Sequence, residues 1–188
     1  MFFKKLVFGL VFCSQVYYNM RTMNNSLYEQ VRRLLGGNSP IAAFVDMDGV
    51  LTEYKYGEGN SILNGETNVF LEKRPIQAVV DFVSKYYDVN NNEFKILTSC
   101  ITKNQELAKL KWIESNMNFF NPNDYMCVLS KDFNSRVDKK VSIICDYVKA
   151  HPEKKKTLVI EDTHEVLKKC WDNNPEKILP VHVINIIK

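Results

Sequence analysis

Apolar positions along this chain follow two alternating rhythms. Five short runs are continuous or nearly so: Ile41–Val45 (IAAFV), Phe94–Leu97, Tyr125–Leu129 (YMCVL), Thr157–Ile160 (TLVI) and Val181–Ile187 (VHVINII). Such runs mark strands covered on both faces. Between them, apolar residues recur every three or four positions, which predicts helices. Ser26–Leu35 places Leu27, Val31, Leu34 and Leu35 on one face, with Asn25 or Ser26 to cap it and Gly36-Gly37 to stop it. Pro75 opens a second helix with Ile76, Val79, Val80, Val83 and Tyr86 in register. Gln105–Asn116 turns Leu107, Leu110 and Ile113 inward. Val141–Val148 buries Ile144, Cys145 and Val148, and Glu165–Trp171 is a short helix. The polar stretch Glu53–Lys73, with Gly57, Gly59 and Gly65, reads as a loop with few core residues. Strand and helix alternate along the body of the chain. That rhythm predicts an α/β fold, a three-layer sandwich around a mostly parallel, Rossmann-like sheet.

Composition narrows the picture. The 188 residues are 45% hydrophobic and 25% charged, which excludes wholesale disorder and fibrous repeats. A chain of this length can bury roughly 70% of its unfolded surface without staples. Residues 23–188 are expected to form one domain, preceded by residues 1–22. There, Lys4 and Lys5 precede the apolar run Leu6–Cys13, which has the form of a short signal peptide or of an upstream extension. No run reaches the ~20 apolar residues of a membrane span. The five cysteines are widely spaced and odd in number, so reduced thiols are expected rather than a disulfide framework or a zinc site. The net charge of +3 is too mild to make nucleic acid the main partner. Lys154-Lys155-Lys156 reads as a solvated turn, and no nucleic-acid groove is evident.

In open α/β sheets the ligand site lies beyond the carboxyl ends of the strands. Asp46-Met47-Asp48-Gly49 follows the first strand, Thr98-Ser99 the second and Glu161-Asp162 the fourth. One sheet edge therefore gathers Asp46, Asp48 and Asp162, with Gly49 permitting a tight turn. Oxygen-only ligation selects a hard cation, Mg²⁺ above all. An aspartate beside such an ion can attack phosphorus, and a second can move the proton. His164 and His182 lack a second histidine at ligand spacing and read as structural.

The segment Phe44-Val45-Asp46-Met47-Asp48-Gly49-Val50-Leu51-Thr52 resembles the first motif of the haloacid dehalogenase (HAD) superfamily. Leu97-Thr98 is similar to its second motif, Lys139 at the start of the Val141–Val148 helix to its third, and Leu158–Asp162 to its acidic fourth. The resemblance covers most of residues 41–188, in the expected order. It implies that Asp46 is the nucleophile. Asp48 is then the general acid/base and gives its backbone carbonyl to Mg²⁺. Thr98 bonds a phosphoryl oxygen, and Asp162 is an acidic metal ligand. Gly49 and Ser99 flank the phosphate. Lys139, which stands 23 residues before Asp162, is the first choice for the neutralising lysine, with Lys140 second and Lys131 third. Glu161 either supports the metal shell or faces solvent.

Only residues 53–74 are available as a cap, so a minimally capped phosphatase is expected, its open site closed by that loop or by a neighbouring subunit in a homo-oligomer. A narrower likeness is to the 5'(3')-deoxyribonucleotidase-like branch, carried by Ile96–Ser99 and by Lys109-Leu110-Lys111-Trp112-Ile113. It implies phosphate binding by Lys109 and a small phosphorylated substrate, a nucleotide among the candidates. Tyr54 and Tyr56 either stack on a base or pack on their own loop, and Trp112 reads as core. The alternatives are a phosphatase for a protein or nucleic-acid terminus, and a non-catalytic HAD-fold binding protein. Cysteine usage and chemistry favour the cytoplasm. Secretion or membrane targeting follows if residues 1–18 act as a signal.

Overall fold

The computed structural model describes residues 27–187. The expectations for the first residues, including Cys13 and a cap at Asn25 or Ser26, lie outside them. The core is a five-stranded sheet in which every pairing is parallel: β1 (Ala42–Val45), β2 (Glu93–Cys100), β3 (Tyr125–Leu129), β4 (Thr157–Glu161) and β5 (Ile178–His182). Their spatial order is β3-β2-β1-β4-β5. Helix α1 (27–35) leads in. Helices α2 (Glu58–Leu63), α3 (Asn68–Leu71) and α4 (Gln77–Tyr86) follow β1. Helix α5 (Lys103–Asn116) follows β2, α6 (Phe133–Ala150) follows β3, and α7 (His164–Asn173) follows β4.

The alternation within β1 shows why the strand is apolar throughout. Ala43 and Val45 pack with Val31, Val79, Trp112 and Ile160 on one face, while Phe44 packs with Val137, Val141, Ile144 and Val159 on the other. Helices thus cover both faces, and the sandwich has three layers. Parallel strands with helical crossovers demand this double covering. The chain order reverses between β1 and β4, and that switch point opens the crevice where ligands collect in such sheets. Among the described residues no helix is long and apolar enough to cross a membrane.

Several element boundaries differ from expectation for local reasons. Strand β5 ends at His182 rather than continuing to Ile187. The His182 ring accepts the Ile184 amide at 3.3 Å and turns the chain into a short 3-10 helix. Pro180 is tolerated because β5 is an edge strand. Helix α6 starts two turns earlier than expected, where the Asp132 side chain accepts the Ser135 amide at 2.7 Å. In α5 the buried face is Gln105, Ala108, Lys109, Trp112 and Ile113, and Leu107 points to solvent. The lysine run before β4 is not simply solvated, since Lys154 is buried against Glu93 with its Nζ 2.6 Å from Oε1. Cys100, Cys127, Cys145 and Cys170 are free thiols, as expected.

Candidate functional site

Strand β1 delivers Asp46 and Asp48 to the crevice on one tight turn. The Asp46 amide donates to the Ile160 carbonyl at 2.9 Å, extending the β1–β4 ladder by one residue. The chain then folds back, with the amides of Leu51 and Thr52 both donating to the Met47 carbonyl at 2.9 Å. Gly49 has φ +73, a left-handed conformation that favours glycine. A Cβ at this position would overlap the Asp162 carboxylate and the Tyr54 ring, so the bare backbone is also what lets these groups approach.

Asp46 is almost fully buried. Lys140, from the second turn of α6, places its Nζ 2.9 Å from Asp46 Oδ1 and 2.9 Å from Glu161 Oε2. Burial, reinforced by the Glu161 charge, pushes the Asp46 carboxyl up to about 7 despite that lysine. Burial works against the charge of Lys140, but Asp46 and Glu161 outweigh it and raise its pKa. Lys139, the first choice from sequence, is not at the site. Its Nζ reaches only the Leu129 carbonyl, at 3.5 Å, on an exposed face. The two residues are adjacent, and one step along a helix turns a side chain by roughly 100°. Lys131 lies in the turn before α6 and is exposed.

Asp48 meets a different set. Lys109 donates to Asp48 Oδ2, to Thr98 Oγ1 at 2.9 Å and to the Ser99 carbonyl at 2.7 Å. Lys73, which the sequence reading passed over, brings its Nζ to 3.2 Å from Asp48 Oδ1. Burial raises the Asp48 carboxyl, but Lys109 and Lys73 together outweigh it and hold the pKa below its ordinary value. Thr98 is fully buried. Its hydroxyl accepts from Lys109 and keeps its own hydrogen free to donate. Lys109 thus lies inside the site, and Trp112 is core, its indole N–H donating to the Lys73 carbonyl at 2.8 Å.

Glu161 does not face solvent. It is buried, with Oε2 on Lys140 and Oε1 accepting from the amides of Asp162 and Thr163 at 3.2 Å each. Asp46, Glu161 and Asp162 each offer a carboxylate oxygen within 4.8 Å of the others, a group that can hold a metal ion. Both Glu161 oxygens are already engaged, so Asp46 and Asp162 are the better direct ligands, with Glu161 behind them fixing Lys140. The buried Asp46 Oδ1 and Asp48 Oδ1 sit in ion-pair range of lysines yet accept no aligned hydrogen bond. An unsatisfied buried carboxylate oxygen is a natural place for a cation.

Asp46, Asp48 and Lys140 floor a cavity of about 310 Å³. Its walls are largely apolar and aromatic, with Ile62 and Leu63 of α2, Phe70 of α3, Phe133 of α6 and Tyr54, and one cation, Arg136 of α6. Tyr54 also donates its hydroxyl to the Asp48 carbonyl at 3.4 Å, whereas Tyr56 is wholly exposed. Residues 53–74 thus fold over the site as two short helices rather than a plain loop, with Phe70 and Lys73 as their buried anchors. His164 opens α7 and is exposed, and His182 caps a turn, so neither is placed as a ligand. Comparison with protein-family models finds no match, and comparison with curated proteins finds none.

Proposed function

We propose that this chain is a HAD-type phosphomonoesterase that uses Mg²⁺ and works through an aspartyl-phosphate at Asp46. The observation that carries the reading is the pairing of two strand-end carboxylates held in opposite electrical surroundings. The Asp46 side, with two further acids close by, has acid in excess. Asp46, Asp162 and the Asp48 carbonyl would hold the ion, whose contribution is charge neutralisation at the phosphoryl oxygens.

The steps follow from the chain's own groups. The substrate phosphate sits among Lys140, Lys109, Thr98 and Ser99. Asp46 attacks phosphorus and the bond to the ester oxygen breaks. Asp48, 3.2 Å from Lys73 and bonded to Lys109, gives a proton to the departing oxygen. Its depressed pKa suits the second half better, in which it removes a proton from the water that hydrolyses the aspartyl-phosphate. For the first half, the dianion of an arriving phosphomonoester repels the Asp48 charge and favours its protonated form. The aromatic and aliphatic walls suit a leaving group with a flat ring, a nucleoside among them.

The test is phosphate release by the full chain from 5'- and 3'-nucleotides, a sugar phosphate, a phosphopeptide and an aryl phosphate, with and without Mg²⁺. Mg²⁺-dependent turnover is expected, lost by about 10⁴-fold or more in Asp46→Asn, as for removal of other covalent nucleophiles. A folded protein that releases no phosphate from any of them, or an Asp46→Asn variant with full activity, overturns the proposal.

A further inference from the structure

Lys73 is a buried cation to which the chemistry above gives no bond-making task. Its side chain is fully buried between two carboxylates, with Nζ 3.2 Å from Asp48 Oδ1 and 2.7 Å from Glu58 Oε1. The rings of Tyr54 and Phe70 stand 5.0 and 5.8 Å from the ammonium. Its backbone is fixed as well, because the Lys73 carbonyl accepts the Trp112 indole N–H. Glu58 is the first residue of α2, which supplies Gly59, Ile62 and Leu63 to the cavity.

Helix α2 needs such a tie. It has six residues and none of them is buried. A helix this short does not hold itself in water. Two side chains fasten it: Glu58, through Lys73, and Gln105, whose Nε2 donates to the Ile62 carbonyl at 2.8 Å. The first tie ends on a reacting group.

We propose that Lys73 is a positioning residue that latches the substrate-covering helix α2 to the acid–base carboxylate Asp48. One ammonium holds both carboxylates at once, donating a hydrogen bond to Glu58 and standing in ion-pair range of Asp48. Helix α2 can swing away only by stripping a buried ammonium of one partner, so closure over the leaving group and the placement of Asp48 are set together. Binding a substrate under α2 thereby secures the group that must reach the ester oxygen. The proposal rests on Asp48 acting as the acid–base.

The test uses the full chain, Mg²⁺ and an aryl phosphate. Lys73→Met is expected to lower kcat by roughly tenfold or more, part of the ~10²–10⁴ that positioned proton transfer supplies. Lys73→Arg is expected to recover part of that loss. Glu58→Gln weakens the tie between α2 and Lys73, so it is expected to raise KM about fivefold and to lower kcat by about threefold, less than Lys73→Met does. Lys55→Gln breaks an exposed pair with Glu72 on the same segment and is expected to move neither constant. Hydrogen exchange reads the latch without turnover: amides of 58–63 are expected to exchange at least about threefold faster in Glu58→Gln, with the sheet unchanged. A Lys73→Met protein that melts earlier but keeps wild-type kcat and KM overturns the proposal, as does unchanged exchange in α2. If Lys73→Met does not fold, the kinetics and the exchange of Glu58→Gln decide it. A wild-type chain that releases no phosphate overturns the phosphatase reading, while faster α2 exchange in Glu58→Gln still supports the tie between α2 and Lys73.

Discussion

Asp46 and Asp48 leave the same turn two residues apart and enter opposite halves of the site. On the Asp46 side, one lysine, Lys140, is shared between Asp46 and Glu161, and Asp162 stands close by. On the Asp48 side, two lysines, Lys109 and Lys73, converge on one carboxylate. The first half is short of positive charge and the second is well supplied. The same buried strand end therefore raises one aspartate's pKa and lowers the other's. The difference teaches a division of labour. On the proposed reading, the acid-rich half would receive a cation and a phosphoryl group, and the lysine-rich half would hold the Asp48 carboxylate in place. Helices on different sides of the sheet supply the two halves. Lys140 comes from α6, on the face with Phe44, whereas Lys109 comes from α5, on the face with Val45.

Among the lysines of the site, the largest expected effect comes from removing the single cation of the acid-rich half. Lys140→Met leaves Asp46 and Glu161 buried side by side with no shared partner. It is expected to lower kcat by about 10²–10³-fold, the range for losing one preorganised electrostatic group. Lys139→Met, one residue earlier and exposed, is expected to stay within about twofold. Phosphate-release kinetics on the two variants checks this directly. Equal losses in both would break the assignment of α6's inward face.

That pair also shows how much of the site was legible. The five-strand rhythm and the strand-end carboxylates came from uninterrupted apolar runs followed at once by acids. Thr98 came from a strand end, and Lys109 only from the likeness of Lys109–Ile113 to a segment of the deoxyribonucleotidase-like branch. The choice between Lys139 and Lys140 failed because the first half of α6, Phe133–Lys140, is mostly polar and was left out of the helix. Extending the apolar period backwards from Val148, Ile144 and Val141 reaches Val137, and Lys140 shares that face. Lys73 had no comparable signal. It lies in a glycine-bearing polar segment, and only the tertiary packing of Trp112, Phe70 and Asp48 around it makes it a buried cation.

A smaller effect is expected at the joint between the halves. Gly49→Ala puts a side chain at φ +73, where an L residue is strained by about 1–2 kcal/mol. Its Cβ would also press on the Asp162 carboxylate and the Tyr54 ring. A total loss of about 2–4 kcal/mol is expected in denaturant unfolding, the backbone strain supplying about 1–2 of it and the displaced groups the rest. Loss of activity without loss of stability would mean that Gly49 serves ligand approach alone, and that the two halves are not braced through it.

The smallest expected effect separates the halves by pH in the metal-free protein. Asp46 has its folded pKa raised from 3.8 to about 7, so the folded state binds its proton more tightly than the unfolded chain does. That favours folding below about pH 4, and the advantage is lost as pH rises through about 7. Asp48 works the other way. Its lowered pKa stabilises the fold above about pH 4, and this is lost as pH falls through the folded value. Between pH 5 and 8 the Asp48 contribution is constant and only the Asp46 contribution declines. The melting temperature in a chelator is therefore expected to fall over that window by about 3 °C or more, the shift that ~1 kcal/mol produces in a domain of this size. Asp46→Asn removes the titrating group and is expected to flatten the slope, and Mg²⁺ is expected to flatten it in the wild type by holding Asp46 ionised. A slope that survives in Asp46→Asn would place its source outside Asp46 and would break the contrast between the two aspartates.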